Sequence, residues 1–291
     1  MRIPAFVNPE SGSARSALDA LTRARRFDIR EVSPGDLAER LDREVAAGAE
    51  RVVVAGGDGT LAQAASRLAG TPVALAVLPG GTLNHFARDH GIPLDADEAL
   101  AVALGSSTAT ADVGYLNGDL FLNTSSVGAY TRYVRTRERI EPVLGYWLGS
   151  VAAGLRVLFT LHPIPVVLEA DGAARAVRAP LVFIAVGERK LGVPGLGQPA
   201  AGGRRGLHVV LPRGRRQARR FARAYAKLDR GRPVTAHALG VVSGIVDQLT
   251  LTLHAGSADV ALDGEIRRVA TPLEYRFAPD ALRLVTPPSE R

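Results

Sequence analysis

Two glycine-rich turns carry the residues whose types and spacing suit phosphate chemistry. The first is Gly56-Gly57-Asp58-Gly59-Thr60, and the second is Pro79-Gly80-Gly81-Thr82-Leu83-Asn84. Glycine has no side chain, so ligand atoms can approach the backbone amides closely. A helix that starts directly after such a turn adds unpaired N–H groups and the positive end of its dipole. The pair of turns predicts a phosphate site, although each turn alone is also an ordinary strand-to-helix connection.

The elements that must position these turns follow from the apolar pattern. The runs at 51–55 and 73–78 predict a buried strand directly before each turn, so both turns should lie at one edge of a parallel sheet. The first fifty residues predict two further β-α units. Their strands are expected at 3–7 and 27–32, and their helices at 14–26 and 34–47. Four alternating units predict a doubly wound, mainly parallel α/β sheet.

The pattern changes near residue 108 to short apolar runs separated by turns. Asn117-Gly118 predicts a hairpin turn. Mostly antiparallel strands are predicted at 166–170, 181–186, 207–211, 249–254, 260–262 and 282–285. We therefore predict an α/β nucleotide-binding domain over residues 1–110 and an antiparallel β-sandwich domain with inserted helices over residues 111–291.

Composition excludes several classes of protein. The net charge of +7 comes almost wholly from arginine, because Lys190 and Lys227 are the only lysines. A Walker A loop requires a glycine-lysine pair and a protein kinase requires a strand lysine, and neither pattern occurs. The absence of cysteine excludes disulfides and thiolate metal sites. No basic and apolar leader precedes the first strand, so we expect a cytoplasmic protein.

Two segments of the second half leave alternatives open. Residues 143–155 are uncharged but too short for a membrane span, which predicts a helix that packs in the protein, lines an apolar pocket or touches lipid. Arg204 to Arg232 holds ten arginines and one lysine against one acid, and its later part predicts a basic amphipathic helix. That helix suits a solvated surface, an anionic membrane contact or a nucleic-acid patch. Sparse aromatic residues disfavour nucleic acid.

The ordered motifs resemble the diacylglycerol kinase and sphingosine kinase superfamily. These motifs are Asn8-Pro9-x-Ser11-Gly12, the two glycine turns with the second continuing through His85-Phe86-Ala87-Arg88, residues 121–128 at the domain junction, and Leu262-Asp263-Gly264-Glu265. The resemblance implies that ATP binds with Mg²⁺ in a cleft between the two domains. It implies a membrane lipid as the acceptor, with diacylglycerol as the default.

The resemblance also assigns residues. It implies nucleotide contacts at Asn8, Pro9, Ser11, Gly12, Gly56, Gly57, Asp58, Gly59, Thr60, Leu61, Ala62, Gly80, Gly81, Thr82 and Asn84. Asp58 would orient Mg-ATP through water and is the one residue associated with the metal. Glu265 would be the general base for the lipid hydroxyl, and Asp263 its neighbour in the site.

Simpler interpretations stand beside these roles. Asp263-Gly264 between two apolar runs is typical of a hairpin turn, and Thr60 and Asn84 are typical helix caps. His85 and Arg88 could equally be surface groups. The same glycine turn occurs in NAD kinases and phosphofructokinases, which leaves a kinase for soluble substrates as one alternative. A lipid- or nucleotide-binding protein without turnover is the other.

Two positions depart from the family pattern. His85 stands where many members have aspartate, which changes the charge beside the predicted phosphates. Arg205 stands where members often have an aspartate that binds a structural magnesium, which predicts loss of that metal site. The positive charge there would suit peripheral contact with an anionic membrane surface. The oligomeric state is left open by the sequence.

Overall fold

The computed structural model describes residues 2–128, 163–170, 172–190, 198–212 and 241–288. The predicted helices at 143–155 and within 213–232 lie outside these residues. The chain forms two compact units. Unit 1 comprises Met1–Val113, Asp119–Asn123 and Ala278–Arg291, and unit 2 comprises Gly114–Gly118 and Thr124–Phe277. The boundary near residue 110 stays a prediction. It divides the chain into two consecutive domains, whereas the segments of these two units alternate along the chain.

Unit 1 is built on a parallel sheet. Its strands are β1 (Ile3–Val7), β2 (Phe27–Glu31), β3 (Arg51–Gly56) and β4 (Ala74–Pro79), in the spatial order β2-β1-β3-β4. These strands are rich in apolar residues because both faces of the sheet are covered. The predicted parallel α/β sheet is therefore confirmed.

The last strand of the chain, β16 (Leu273–Val285), gives its C-terminal part to unit 1. There it pairs in parallel with β4, with Leu284 opposite Leu75. The prediction of an antiparallel second-domain strand at 282–285 is therefore wrong. The reason is that an apolar run is compatible with either sheet, and its own sequence does not specify a partner 200 residues away.

Helices cover the sheet of unit 1. They are α1 (Ala14–Ala24), α2 (Pro34–Ala46), α3 (Asp58–Leu68), α4 (His85–Asp89) and α5 (Ala96–Leu104). Because crossovers are right-handed, α1, which leads from β1 to β2, covers the opposite face from α2 and α3, which lead the other way. In agreement, α1 packs against α5, and α2 packs against α3. No helix in the described ranges has the length and apolarity needed to span a membrane.

The remaining described strands are short. They are β5 (Thr108–Leu116), β6 (Asp119–Phe121), β7 (Thr124–Gly128), β8 (Ile164–Ala170), β9 (Ala173–Ala179), β10 (Leu181–Val186), β11 (Leu207–Pro212), β12 (Val241–Val246), β13 (Gln248–Leu253), β14 (Ser257–Leu262) and β15 (Glu265–Ala270). The predicted Asn117-Gly118 hairpin turn joins β5 and β6, and its two residues have φ of 48° and 93°. These positive values are those that a tight two-residue hairpin requires.

Unit 2 contains two antiparallel sheets, as predicted. One runs from the first part of β16 through β13 and β8 to β9, and the other has the order β12-β11-β10-β7-β14-β15. Ser125 of β7 and Tyr275 of β16 link the two sheets through a buried hydroxyl–hydroxyl hydrogen bond of 2.9 Å. Burial raises the pKa of the Tyr275 phenol, so it stays protonated and can donate this bond. The link shows that the sheets face each other as a sandwich.

Candidate functional site

Three loops meet at the carboxyl ends of the parallel strands of unit 1. The strand order reverses between β1 and β3, and this is the position where open α/β sheets bind ligands. Gly56 at the end of β3 lies opposite Pro79 at the end of β4, so the two turns share one edge, as predicted. The amide of Asn8 donates to Ala55 O at 3.0 Å, which fixes the loop after β1 beside the first turn.

The loop after β1 is tied to both glycine turns. Asn8 is buried, and its Nδ2 donates to Thr60 Oγ1 at 3.1 Å. Ser13 Oγ donates to Pro79 O at 3.1 Å. Thr60 therefore does not cap α3, because the N-cap of this helix is Gly57 and the threonine hydroxyl binds Asn8 instead. These bonds fix the three loops relative to one another.

The two turns approach so closely that only glycine fits between them. A Cβ added to Gly81 would lie 2.8 Å from Gly57 Cα, and one added to Gly57 would lie 3.1 Å from Gly81 Cα. Real Cβ atoms essentially never approach a backbone carbon at 2.8 Å. The glycines therefore permit contact between the backbones of the two turns, which is a reason for their presence besides ligand approach.

Asp58 connects the first turn to the helix after the second turn. Its Oδ2 accepts from the amide of His85 and its Oδ1 accepts from the amide of Phe86, each at 3.1 Å. Phe86 itself is fully buried, which anchors α4. Asp58 thus caps α4 from outside the helix, and its charge is partly compensated by two amides.

The second turn is closed by its own asparagine. Asn84 has φ of 50° and is buried; its Oδ1 accepts from Gly81 N at 2.8 Å and its Nδ2 donates to Gly81 O at 2.7 Å. Asn84 occupies the N-cap position of α4 but makes no side-chain capping bond. Thr82 and Leu83 form the exposed tip, where Arg88 Nε donates to Leu83 O at 3.0 Å.

Some backbone amides of the two turns donate to acceptors within the protein, whereas others remain available to a ligand. The amides of Gly80, Gly81, His85 and Phe86 are all occupied by partners within the protein. By contrast, the amides of 58–60 at the start of α3 and of 82–84 in the second turn donate to no acceptor in the described part of the chain. Two groups of unpaired donors at converging loops form a cradle for an anion.

The two turns offer few ligands for a metal ion. Asp58 is the one carboxylate within the two turns, and both of its oxygens already accept amides. Across the described ranges, no three His, Cys, Asp or Glu side chains group closely enough to hold a metal. Mg²⁺ often has one or two carboxylates and completes its shell with substrate phosphates and water. The residues therefore fit Mg²⁺ that arrives with a nucleotide, and its contact with Asp58 through water stays a prediction.

The hairpin between β14 and β15 carries Asp263 and Glu265, the two residues predicted to lie at the lipid hydroxyl. Leu262 pairs with Glu265 across a two-residue turn in which Asp263 and Gly264 have φ of 46° and 93°. Asp263 Oδ1 accepts from Thr124 N at 2.9 Å, and Asp263 N donates to Thr124 O at 2.8 Å. Asp263 therefore fastens the hairpin to β7, and Glu265 begins β15 with an exposed side chain.

The other predicted nucleotide contacts differ in exposure. Pro9, Gly12 and Gly59 are exposed, Ser11 is half-buried, and Ser11 Oγ donates to Asn8 O at 2.9 Å. Leu61 is fully buried in the core, while Ala62 is partly exposed in α3. Their ligand contacts stay predictions. Sequence reasoning assigned no role to Ser13 and left open whether Arg88 is a surface group, although the glycine-turn motif continued through Arg88.

Hydrogen bonds from two backbone amides hold the residues around Arg205 in place. Glu188 Oε2 accepts from the amide of Arg204 at 2.9 Å, and this bond lowers the pKa of the Glu188 carboxyl. Buried His208 accepts from the amide of Arg189 at 3.0 Å through Nδ1, and burial lowers its pKa. The loss of a structural magnesium site at Arg205 stays a prediction.

The fold and the site define a class: an α/β protein with an anion cradle at the switch point of a parallel sheet, whose chain also forms an antiparallel β-sandwich. Residues 2–116 match the family model of the diacylglycerol kinase catalytic domain. This part of the chain is therefore similar to the catalytic domain of diacylglycerol kinases, in agreement with the resemblance of its motifs.

Relatives agree with this family. A probable lipid kinase (YegS-like) of Pseudomonas aeruginosa is 41% identical over 114 residues, which is 38% of this chain and 37% of the relative. A diacylglycerol kinase of Mycobacterium tuberculosis is 31% identical over 193 residues, which is 60% of this chain and 61% of the relative. The matched part thus spans less than two thirds of either relative.

Two crystal structures from Bacillus anthracis strain Sterne share the fold. One, described as a diacylglycerol kinase, aligns with a TM-score of 0.71 at 19% identity and covers 99% of this chain and 97% of its own. The other aligns with a TM-score of 0.75 at 20% identity and covers 99% of this chain and 98% of its own. At these identities the likeness shows the fold alone.

Proposed function

We propose that the protein is an ATP-dependent kinase that phosphorylates the hydroxyl of a membrane lipid, with diacylglycerol as the first candidate. One observation carries the proposal. Two sets of backbone amides, at 58–60 and at 82–84, have no hydrogen-bond acceptor in the described residues and lie on two turns whose backbones are in contact. The names of the relatives, a probable lipid kinase and a diacylglycerol kinase, support the acceptor class.

The nucleotide half of the reaction is assigned to unit 1. The free amides bind phosphate oxygens, and Arg88, held against the tip of the second turn, adds positive charge beside two turns that contain no lysine. Asp58 would hold Mg²⁺ through water, and the ion would supply neutralisation of the phosphate charge. Phosphoryl transfer has a loose transition state, so alignment and charge neutralisation supply most of the catalysis.

The acceptor half is assigned to Glu265 of unit 2, which receives the lipid hydroxyl. A carboxylate is a much weaker base than an alkoxide, so it accepts the proton late, as the new P–O bond forms and the bond from the γ-phosphorus to the leaving ADP breaks. Its main work is to orient the hydroxyl. Asp263 contributes by fixing the hairpin that carries Glu265.

Membrane contact forms part of the proposal. The basic segment Arg204 to Arg232 would attract an anionic lipid surface and bring the protein to its substrate at the inner face of the membrane. Such binding weakens as salt screens the charges. Sedimentation with vesicles tests it: binding to anionic but not to neutral vesicles, lost at high salt, is expected, and equal binding to both vesicle types contradicts it.

Transfer of labelled phosphate from Mg-ATP to a total lipid extract, followed by mass spectrometry of the product, tests the function. The Asp58→Ala and Glu265→Ala proteins should lose most of the transfer. Arg23→Gln serves as a control, because Arg23 forms an exposed ion pair with Asp97 and lies outside the three loops. Transfer by both alanine variants at the parent rate would disprove the assigned site.

Parallel arms separate the alternatives. Phosphorylation of NAD or a sugar phosphate, with none of any lipid, would indicate a soluble-substrate kinase of the NAD kinase or phosphofructokinase type. Measurable ATP binding with no transfer to any acceptor would indicate a binding protein without turnover. Either result replaces the lipid kinase proposal.

A further inference from the structure

The hairpin that carries Glu265 is fixed in its backbone but not in its side chain. The two hydrogen bonds between Asp263 and Thr124 hold the turn against β7. Glu265, two residues on, exposes 57% of its side chain. An exposed glutamate has several rotamers, so the backbone anchor alone does not aim its carboxylate.

One neighbouring side chain does contact this carboxylate. Arg267 Nη2 donates to Glu265 Oε2 at 3.1 Å. The two residues are separated by one position on β15, so their side chains leave the same face of the strand. The contact engages Oε2 and leaves Oε1 without a hydrogen-bond partner in the described part of the chain.

We infer that Arg267 is a positioning residue for the reaction: it holds one oxygen of Glu265 so that the other faces the acceptor hydroxyl. This inference rests on the proposed role of Glu265 as the base. Because both side chains are half exposed, the ion pair contributes little to the stability of the fold. Loss of the ion pair should instead lower kcat, because small errors in the position of a reacting group lower the rate of the chemical step.

The same strand offers a matched control. Arg268 follows Arg267 directly, and its side chain leaves the opposite face of β15. It donates to Ser257 Oγ at 2.9 Å and to Asp259 Oδ1 at 3.2 Å, both on β14. Arg267→Gln and Arg268→Gln each remove an exposed arginine that forms an ion pair, but only the first removes a contact with Glu265.

Steady-state kinetics of lipid phosphorylation test the inference. We expect Arg267→Gln to lower kcat about tenfold with an unchanged KM for ATP, since an oriented group is lost while the nucleotide cradle is intact. Arg267→Lys keeps a donor to the carboxylate and should recover part of kcat. Arg268→Gln should match the parent. Equal kcat for Arg267→Gln and Arg268→Gln would overturn the inference.

A double-variant cycle shows whether Arg267 acts through Glu265. In the Glu265→Gln background, removal of Arg267 should have no further effect on the residual rate. A further tenfold loss would mean that Arg267 acts elsewhere and would overturn the inference. Failure of the proposed function gives a different result: the parent protein transfers no phosphate to lipid. Failure of the role of Glu265 is also distinct, because the Glu265→Gln protein would then phosphorylate lipid at the parent rate.

Discussion

The contact between the two glycine turns gives the sharpest test of the site. Gly81→Ala places a Cβ 2.8 Å from Gly57 Cα and 3.1 Å from Asn84 Oδ1. The φ of Gly81 lies outside the left-handed region, so alanine is not strained in its backbone and the steric contact alone decides the outcome. A backbone carbon cannot rotate away as a side chain can, so one turn must move from the other.

The magnitude follows from this geometry. Inserting one methyl group into a close-packed contact typically costs about 1–3 kcal/mol. The bond between Asn84 and the amide of Gly81, at 2.8 Å, lies on the same side and would be disturbed as well. Displacement of the second turn also reorients the free amides of 82–84. We therefore expect a lower free energy of unfolding and a loss of ATP affinity of about tenfold, which corresponds to about 1.4 kcal/mol.

Urea unfolding followed by circular dichroism and isothermal titration with Mg-ATP measure the two effects. Gly35→Ala is the control, because Gly35 lies in α2 with its nearest heavy atom, Ser33 Oγ, at 3.7 Å. Alanine in this helix should leave ATP affinity unchanged and stabilise the protein by up to about 1 kcal/mol. A Gly81→Ala protein with the unfolding midpoint and ATP affinity of the parent would refute the contact.

Three further predictions follow from buried or charged contacts. Since burial lowers the pKa of His208, the unfolded chain binds a proton at higher pH than the folded protein does, and the free energy of unfolding should fall as the pH drops below about 6.5. His208→Asn keeps an acceptor for a backbone amide and should make the free energy of unfolding, measured by urea titration, depend less on pH. An unchanged pH dependence contradicts the prediction. Tyr275→Phe leaves Ser125 unpaired and should cost about 1–3 kcal/mol, whereas adding Ser125→Ala should recover part of that loss; strict additivity in the unfolding cycle would argue against the 2.9 Å bond. Asp58→Asn should bind Mg-free ATP more tightly than the parent does, and calorimetry that shows weaker binding would count against the role given to Asp58.

The sequence was sufficient for much of unit 1 because its signals are local. Each strand of the β-α units is a short apolar run, and each glycine turn follows directly, so the positions of β3 and β4 were predictable to within one residue. The Asn117-Gly118 and Asp263-Gly264 turns were likewise predictable, because their residue types suit the positive φ that a tight hairpin needs.

The parts that sequence reasoning missed depend on distant partners. Thr60 seemed a helix cap, but its hydroxyl binds Asn8, 52 residues earlier. The run at 282–285 joins the parallel sheet because β4 offers a free edge, a fact that the run itself does not encode. The Glu265–Arg267 pair was also missed, since charged residues on an exposed strand are usual and only geometry distinguishes this pair.

Asp58 is an acidic residue within a site that is proposed to bind an anion, and its presence there requires a physical explanation. A lone carboxylate beside polyphosphate would repel it, because like charges at close range disfavour binding. Two amide donors at 3.1 Å offset part of the charge, but they do not remove it. Nucleotide binding should therefore depend strongly on Mg²⁺, which relieves the repulsion between Asp58 and the phosphates. Asparagine keeps an acceptor for one of the two amides and loses the charge, so it should reduce the preference for Mg-ATP over free ATP without releasing α4. If Asp58→Asn instead kept the full metal preference, Asp58 would act only as the external cap of α4, and the metal would be oriented by the phosphates alone.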